Sequence, residues 1–169
     1  MAYAVTHVIV AIVVLDLFRH YVFGKKKFPR FLLVIGGIAG LLPDIDVPLS
    51  WTYNFLTRNQ SNFHGQFTHS IIFPLIFLTV GIIYYYHSNN LRKNKKWAQI
   101  FFVISAGWAL HLPLDCLFGG YETFLWPLGI KTAFCPQWNL RDYAPGLDAL
   151  ILIAWLVHEE IHNRIKDYI

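Results

Sequence analysis

Charge is what this chain has least of. Its 14 lysines and arginines and 10 aspartates and glutamates make up 14% of 169 residues, against about 25% in a soluble domain. Too few charges are present to cover a water-facing surface of this size. Cysteine is nearly absent too, at two residues, which excludes a disulfide-dense scaffold and a thiolate metal cluster. No repeat, glycine-proline tract or low-complexity stretch is visible, which excludes collagen-like and disordered chains. What is there instead is apolar: 56% hydrophobic and 17% aromatic residues, with a mean hydropathy of +0.43. The expectation is an integral membrane protein forming a single domain over residues 1–169, all-α, a helical bundle of about five apolar segments.

The first segment, Ala4 to Phe23, is interrupted only by His7, Asp16, Arg19 and His20. Twenty helical residues rise about 30 Å, the thickness of a hydrocarbon core. It lacks the basic start and small-residue cleavage site of a signal peptide, so it is expected to be retained. Phe31 to Leu42 is short, carries Gly36, Gly37 and Gly40, and is stopped by Pro43. It cannot span alone and is expected to pack closely through its small residues. Ser70 to Tyr86, Trp97 to Leu114 and Ala144 to Val157 complete the five, with 44–69 and 115–143 read as connectors.

Positively charged loops stay cytoplasmic. Lys25, Lys26, Lys27 and Arg30 follow the first segment, Arg92, Lys93, Lys95 and Lys96 follow the third, and Arg164 and Lys166 close the chain. These alternate correctly for five segments. They place the N-terminus and the two long connectors on the non-cytoplasmic side and the C-terminus in the cytoplasm. The basic balance therefore reads as topology, and no nucleic-acid partner is expected.

On that topology the metal-type side chains gather. His7 lies near the outer end of the first segment, Asp44 and Asp46 follow the second, His64 and His69 precede the third, His111 and Asp115 end the fourth, and Asp148 begins the fifth. Each piece has a plain structural reading: a His-x-x-x-Asp pair faces one way because residues four apart are helix neighbours, and Pro113 inside that pair could end the helix early. Yet ionisable groups inside a membrane are costly and point to function. Four histidines and four aspartates together suggest a divalent metal, with zinc the first choice and manganese or iron the others. Their number suggests two ions sharing a bridging carboxylate, Asp44 or Asp46. The expected ligands are His7, Asp44, Asp46, His69, His111, Asp115 and Asp148. Asp44 also counts as catalytic, and His64 is the candidate for proton transfer.

Thr6-His7, Leu42-Pro43-Asp44-Ile45-Asp46, Phe67-Thr68-His69-Ser70, His111 to Asp115, Leu125-Trp126-Pro127 and Asp148, taken as an ordered set, resemble the YdjM-type inner-membrane metal-dependent hydrolase family. The resemblance implies a membrane-bound hydrolase whose histidines and aspartates bind metal. The order is also similar, more distantly, to zinc-dependent phospholipase C and P1-type nucleases, which implies phosphoester chemistry by analogy. Where the family pattern reads His-Arg-Gly, this chain has His64-Gly65-Gln66. That removes an arginine able to clamp a phosphate; Arg58 or Arg141 are the substitutes available. After Trp126-Pro127 it has Leu128-Gly129-Ile130-Lys131 in place of a charged run.

The remaining polar residues read differently. Asp16 is expected to pair with Arg19 and His20. His158 and His162 have metal-compatible spacing, but ten helical residues put His158 about 15 Å from Asp148, so they are taken as interfacial. Cys116 and Cys135 share a connector in which an oxidising compartment would allow a disulfide. Trp51, Tyr53, Trp126 and Trp138 are candidate interface anchors, some of them at a substrate entrance. The function expected is hydrolysis of a phosphoester in a lipid or amphipathic substrate by a metal-activated water, with membrane lipid as the other partner. The rival is a non-enzymatic metal-binding membrane protein, either a cation transporter or a partner stapled by its metal.

Overall fold

The computed structural model describes residues 4–87, 91–118, 124–128, 135 and 141–162. Lys131, Trp138, Arg164 and Lys166 lie outside the described residues. Among the described residues every regular element is helical: α1 (Ala4–Phe18), α2 (Phe31–Ala39), α3 (Asp46–Thr57), α4 (Ile72–Tyr86), α5 (Leu91–Leu117) and α6 (Ala144–His162). Each expected apolar run contains a helix. The number able to cross a bilayer by length and composition is smaller than five: Ala4–Phe23 and Asn94–Leu117, and a third if Phe31–Ala39 and Leu42–Thr57, bent by 51°, count as one span.

Two boundaries correct the sequence reading. The first is α3, which lies where a connector was expected. Its mixed polar and apolar residues show no long apolar run, and Pro48 looks like a breaker but falls in the first turn, where a missing N–H costs nothing. The second is Pro113, which does not end α5 early; the helix continues to Leu117, giving up the one backbone bond that a proline cannot donate.

The packing is that of a protein whose surroundings are apolar. Val13, Leu17, Phe18, Ile38, Ile76, Ile83 and Leu150 are exposed, while Thr6, His7, Asp46, Ser50, Thr68, His69, His111 and Asp115 are buried. Lipid tails are as apolar as leucine, so close packing rather than water exclusion joins such helices. Leu15, Phe28, Leu32, Leu33 and Val103 form the main apolar cluster. Glycine brings the backbones together: a Cβ on Gly36 would meet Leu15, one on Gly37 would meet Ile12, and one on Gly107 would come within 2.5 Å of the Gly36 carbonyl. Between α4 and α5, Phe73 stacks on Trp108 with ring centroids 5.0 Å apart, and the Ser105 hydroxyl donates to the Pro74 carbonyl at 2.7 Å. In the last turn of α1, at the end opposite His7, Asp16 accepts from Arg19 Nη1 at 3.0 Å and lies 3.1 Å from His20 Nδ1, the pairing its sequence position suggests.

Candidate metal centre

Four separate stretches meet at one end of the bundle. α1 contributes His7 from its first turns. A single 3-10 turn, Leu42–Ile45, bridges α2 and α3 and carries Asp44, with Asp46 opening α3. A second such turn, Phe67–His69, carries His69, and the last turns of α5 carry His111 and Asp115, one helical turn apart.

Ligand atoms of Asp44, His69, His111 and Asp115 converge as one group able to hold a metal. His69 Nε2 lies 3.2 Å from His111 Nε2. Asp115 Oδ2 is 3.2 Å from His111 Nε2 and 3.4 Å from His69 Nε2, and Asp44 Oδ1 is 3.6 Å from both. His7 stacks on His111, with centroids 3.7 Å apart, and its Nε2 comes within 3.4 Å of Asp115 Oδ1.

The surrounding hydrogen bonds decide what those nitrogens present to one another. The Gly40 carbonyl, 2.7 Å from His111 Nδ1, can only accept, so Nδ1 carries the hydrogen and Nε2 a lone pair. His69 Nδ1 faces Thr68 Oγ1 at 3.1 Å and Asp46 Oδ2 at 3.4 Å. The Thr68 hydroxyl is already donated to Asp46 Oδ2 at 2.7 Å, so in a neutral His69 ring Nδ1 again donates and Nε2 keeps its lone pair. Neutral imidazoles would therefore set two lone pairs 3.2 Å apart between two carboxylates, an arrangement that only a positive charge can stabilise. Both nitrogens of His7 and both oxygens of Asp115 are buried without a hydrogen bond, a condition that costs about 1–3 kcal/mol or more per group unless something answers it. A tetrahedron of ligands at about 2.0–2.1 Å from a cation has edges of about 3.3–3.4 Å, close to the separations observed. The residues fit a divalent metal.

Asp46 belongs to a second group, with His64 and His69, but its oxygens are engaged. Oδ1 accepts from His64 Nδ1 at 2.8 Å, and Oδ2 from the Gly65 N–H at 3.0 Å as well as from Thr68. The residue common to both groups is His69, not a carboxylate. Gly65 makes its contact with φ at +79°, in the left-handed region that suits glycine. Asp148 is not brought to either group; its Oδ1 accepts from the backbone N–H and the hydroxyl of Thr6, which ties α6 to the start of α1 next to His7. The Ser70 hydroxyl donates to the Trp126 carbonyl at 2.9 Å, the Ile71 N–H to the Phe124 carbonyl at 3.0 Å, and Trp108 Nε1 to the Thr68 carbonyl at 3.0 Å. The His69 turn is thus held by the segment 124–126 and by Trp108 of α5. Cys116, next to Asp115, is joined to Cys135 by a disulfide. Gly40, Trp108 and Ser70 were missed as supporting residues; the first acts through a backbone carbonyl, for which no side-chain motif exists, while Ser70 stood within the Phe67-Thr68-His69-Ser70 motif.

Carboxylates that orient a metal-bound imidazole typically matter by 10–100-fold in affinity. Asp46→Asn is therefore expected to weaken metal binding by about that factor while leaving the metal stoichiometry at saturation unchanged; a competition titration with a chromogenic chelator measures it, and unchanged affinity would place Asp46 outside the support.

The fold and this site define an all-helical membrane protein with a buried histidine and aspartate cage able to hold a metal ion. The chain belongs to the YdjM inner membrane protein family, whose model matches residues 1–164. Searches of curated proteins and of solved structures find no match, so the likeness to phospholipase C and P1-type nucleases gains no support from them.

Proposed function

We propose that the chain is a membrane-bound metal-dependent hydrolase that cleaves a phosphoester of a lipid or other amphipathic substrate. One observation carries the reading: among the described ligand residues, the cage is open to the outside at Asp44. The side chains of His7, His69, His111 and Asp115 are at most 1% exposed, whereas that of Asp44 is 27% exposed. A structural metal site is closed by protein, and a catalytic one keeps a position open.

The donor set of imidazoles and carboxylates suits zinc first, manganese or iron next. When bound, the cation supplies Lewis acidity toward a phosphoryl oxygen and makes water a better nucleophile. The chain's own residues do the rest. Asp44 is the member reached from outside and meets the substrate first. Asp46 fixes the ring orientations of His64 and His69. His64, 19% exposed and 4.0 Å from Asp44 Oδ1, is the imidazole placed to pass a proton between the site and water. The Cys116–Cys135 disulfide is the chemistry of an oxidising compartment, which supports a cage on the non-cytoplasmic side, and the basic Arg164 and Lys166 support a cytoplasmic C-terminus.

Metal content and hydrolysis are to be measured on the purified chain with phospholipids and soluble phosphoesters. The expected result is stoichiometric metal, and a loss of about 100-fold or more in turnover for Asp44→Asn. Stoichiometric metal without turnover on any phosphoester would favour the metal as a staple.

Protons compete for the same place. Burial opposes a charge on His69, but the carboxylates of Asp115, Asp44 and Asp46 outweigh it and raise its pKa from 6.5 to about 10. A folded pKa above the unfolded one means that, without metal, this part of the stability is complete below pH 6.5 and is lost as pH rises through about 10. Metal must displace that proton, so apparent affinity is expected to rise about tenfold per pH unit between pH 6 and 8. An affinity flat over that range would refute the competition.

A further inference from the structure

Beside the cage, α3 and the segment 61–64 form an open cleft of about 300 Å³, lined by Val47, Ser50, Trp51, Asn54, Ser61, Asn62 and His64. Its His64 wall is the same imidazole that bonds Asp46 and approaches Asp44. His64 is therefore shared by the cleft and the open side of the cage.

The walls are preformed. Asn54 grips Ser61 in both directions: its Nδ2 donates to the Ser61 carbonyl at 2.8 Å, and its Oδ1 accepts from the Ser61 N–H at 2.8 Å. Ser50 Oγ accepts from the Phe63 N–H at 3.1 Å while donating to the Asp46 carbonyl at 2.7 Å. Asn62 Oδ1 accepts from the His64 N–H at 2.9 Å, and Tyr53 packs edge-on to Phe63. A site already built costs little to order on binding.

The chemistry of the lining is selective by what it offers. No lysine, arginine, aspartate or glutamate is among these lining residues. A quaternary ammonium is recognised by an aromatic cage, and here there is one indole. A primary ammonium calls for a carboxylate, and among the described residues none lines the cleft. Beyond the bonds just described, Asn54 and Asn62 each keep an amide N–H and Ser50 Oγ keeps a lone pair, so the lining still gives and accepts hydrogen bonds, as a hydroxyl does. Trp51, 70% exposed, supplies a flat apolar face for the C–H side of a polyol.

We propose that this cleft seats an uncharged, hydroxyl-bearing group of the substrate, of glycerol or sugar type, while the attached phosphoester reaches the cage at Asp44. Its second half rests on the hydrolase reading; binding in the cleft can be measured without it.

The test uses the full chain, purified with its metal. Asn62→Cys introduces a reactive thiol, since both native cysteines are paired in the disulfide. Glycerol 1-phosphate is expected to slow alkylation of that thiol about fivefold or more, and phosphocholine at the same concentration to leave it unchanged. In calorimetry glycerol 1-phosphate should bind about tenfold more tightly than phosphocholine, and Trp51→Ala should bring the ratio near one. The thiol measurement stands even if Trp51→Ala does not fold. Mixed micelles containing phosphatidylglycerol that slow the alkylation, where phosphatidylcholine micelles do not, assign the group to a lipid headgroup; slowing by the soluble ester alone assigns it to a soluble substrate, and either keeps the cleft. Equal effects of the two headgroups, or no protection by any of them, overturn the proposal. Headgroup preference without turnover on any phosphoester overturns the hydrolase reading and leaves the cleft standing. Turnover with no preference does the reverse.

Discussion

His111→Ala should purify without bound metal. His111 supplies one of the four converging ligand atoms, its ring is fully buried, and it forms one face of the His7 stack. Loss of a supporting partner costs up to about 100-fold in metal affinity, and loss of a ligand exceeds that. The substitution also strips the buried Gly40 carbonyl of its donor, at about 1–3 kcal/mol. Metal analysis after gel filtration, alongside a melting curve, separates the two effects. His111→Gln restores a donor near Gly40 without an imidazole, so it should recover part of the stability and none of the affinity. A wild-type metal content in His111→Ala would remove α5 from the centre.

The largest effect on stability is expected at Gly107. A Cβ there would stand 2.5 Å from the Gly36 carbonyl and 2.8 Å from the Ala39 Cβ. Neither neighbour is the flexible end of a side chain, so α2 must move away from α5. Overpacking of this kind costs about 1–3 kcal/mol, and a backbone obstacle puts Gly107→Ala at the upper end of that range. Gly146 in α6 is the control, because a Cβ there meets nothing within 4 Å. Gly146→Ala should be neutral to stabilising, by up to about 1 kcal/mol. Equal melting temperatures for the two variants in detergent would show that the glycine seam does not hold the helices.

Much of this arrangement was readable in the residues, and what was not has physical causes. Apolar runs announce helices even where Pro74 and Pro145 stand in their first turns, and glycines spaced along Phe31 to Leu42 announce a close approach, because both depend on local sequence. Asp44, His69, His111 and Asp115 stand near the ends of such runs, which is enough to bring them to one end of a bundle. Helix α3 was hidden because its buried positions, Asp46 and Ser50, are polar, so no apolar stripe marks its inner face. The state of Asp46 was hidden because its acceptors are filled by Gly65, Thr68 and His64, groups that composition cannot distinguish from bystanders. Asp148 looked like the other aspartates; that it serves Thr6 depends on how α6 docks on α1, a long-range fact that spacing does not contain.

The bend between α2 and α3 has a cost and a use. In an unbroken helix the Gly40 carbonyl would accept from the N–H of residue 44, four positions on. Here the chain tightens, the Asp44 N–H turns to the Leu41 carbonyl at 3.1 Å, and Gly40 is released to hold His111. A continuous rod over 31–57 would anchor more securely in lipid, yet it would leave His111 free to rotate and Asp44 aimed elsewhere. The chain trades the strength of one anchor for a fixed imidazole, so a variant that straightens this segment should insert better and bind metal worse.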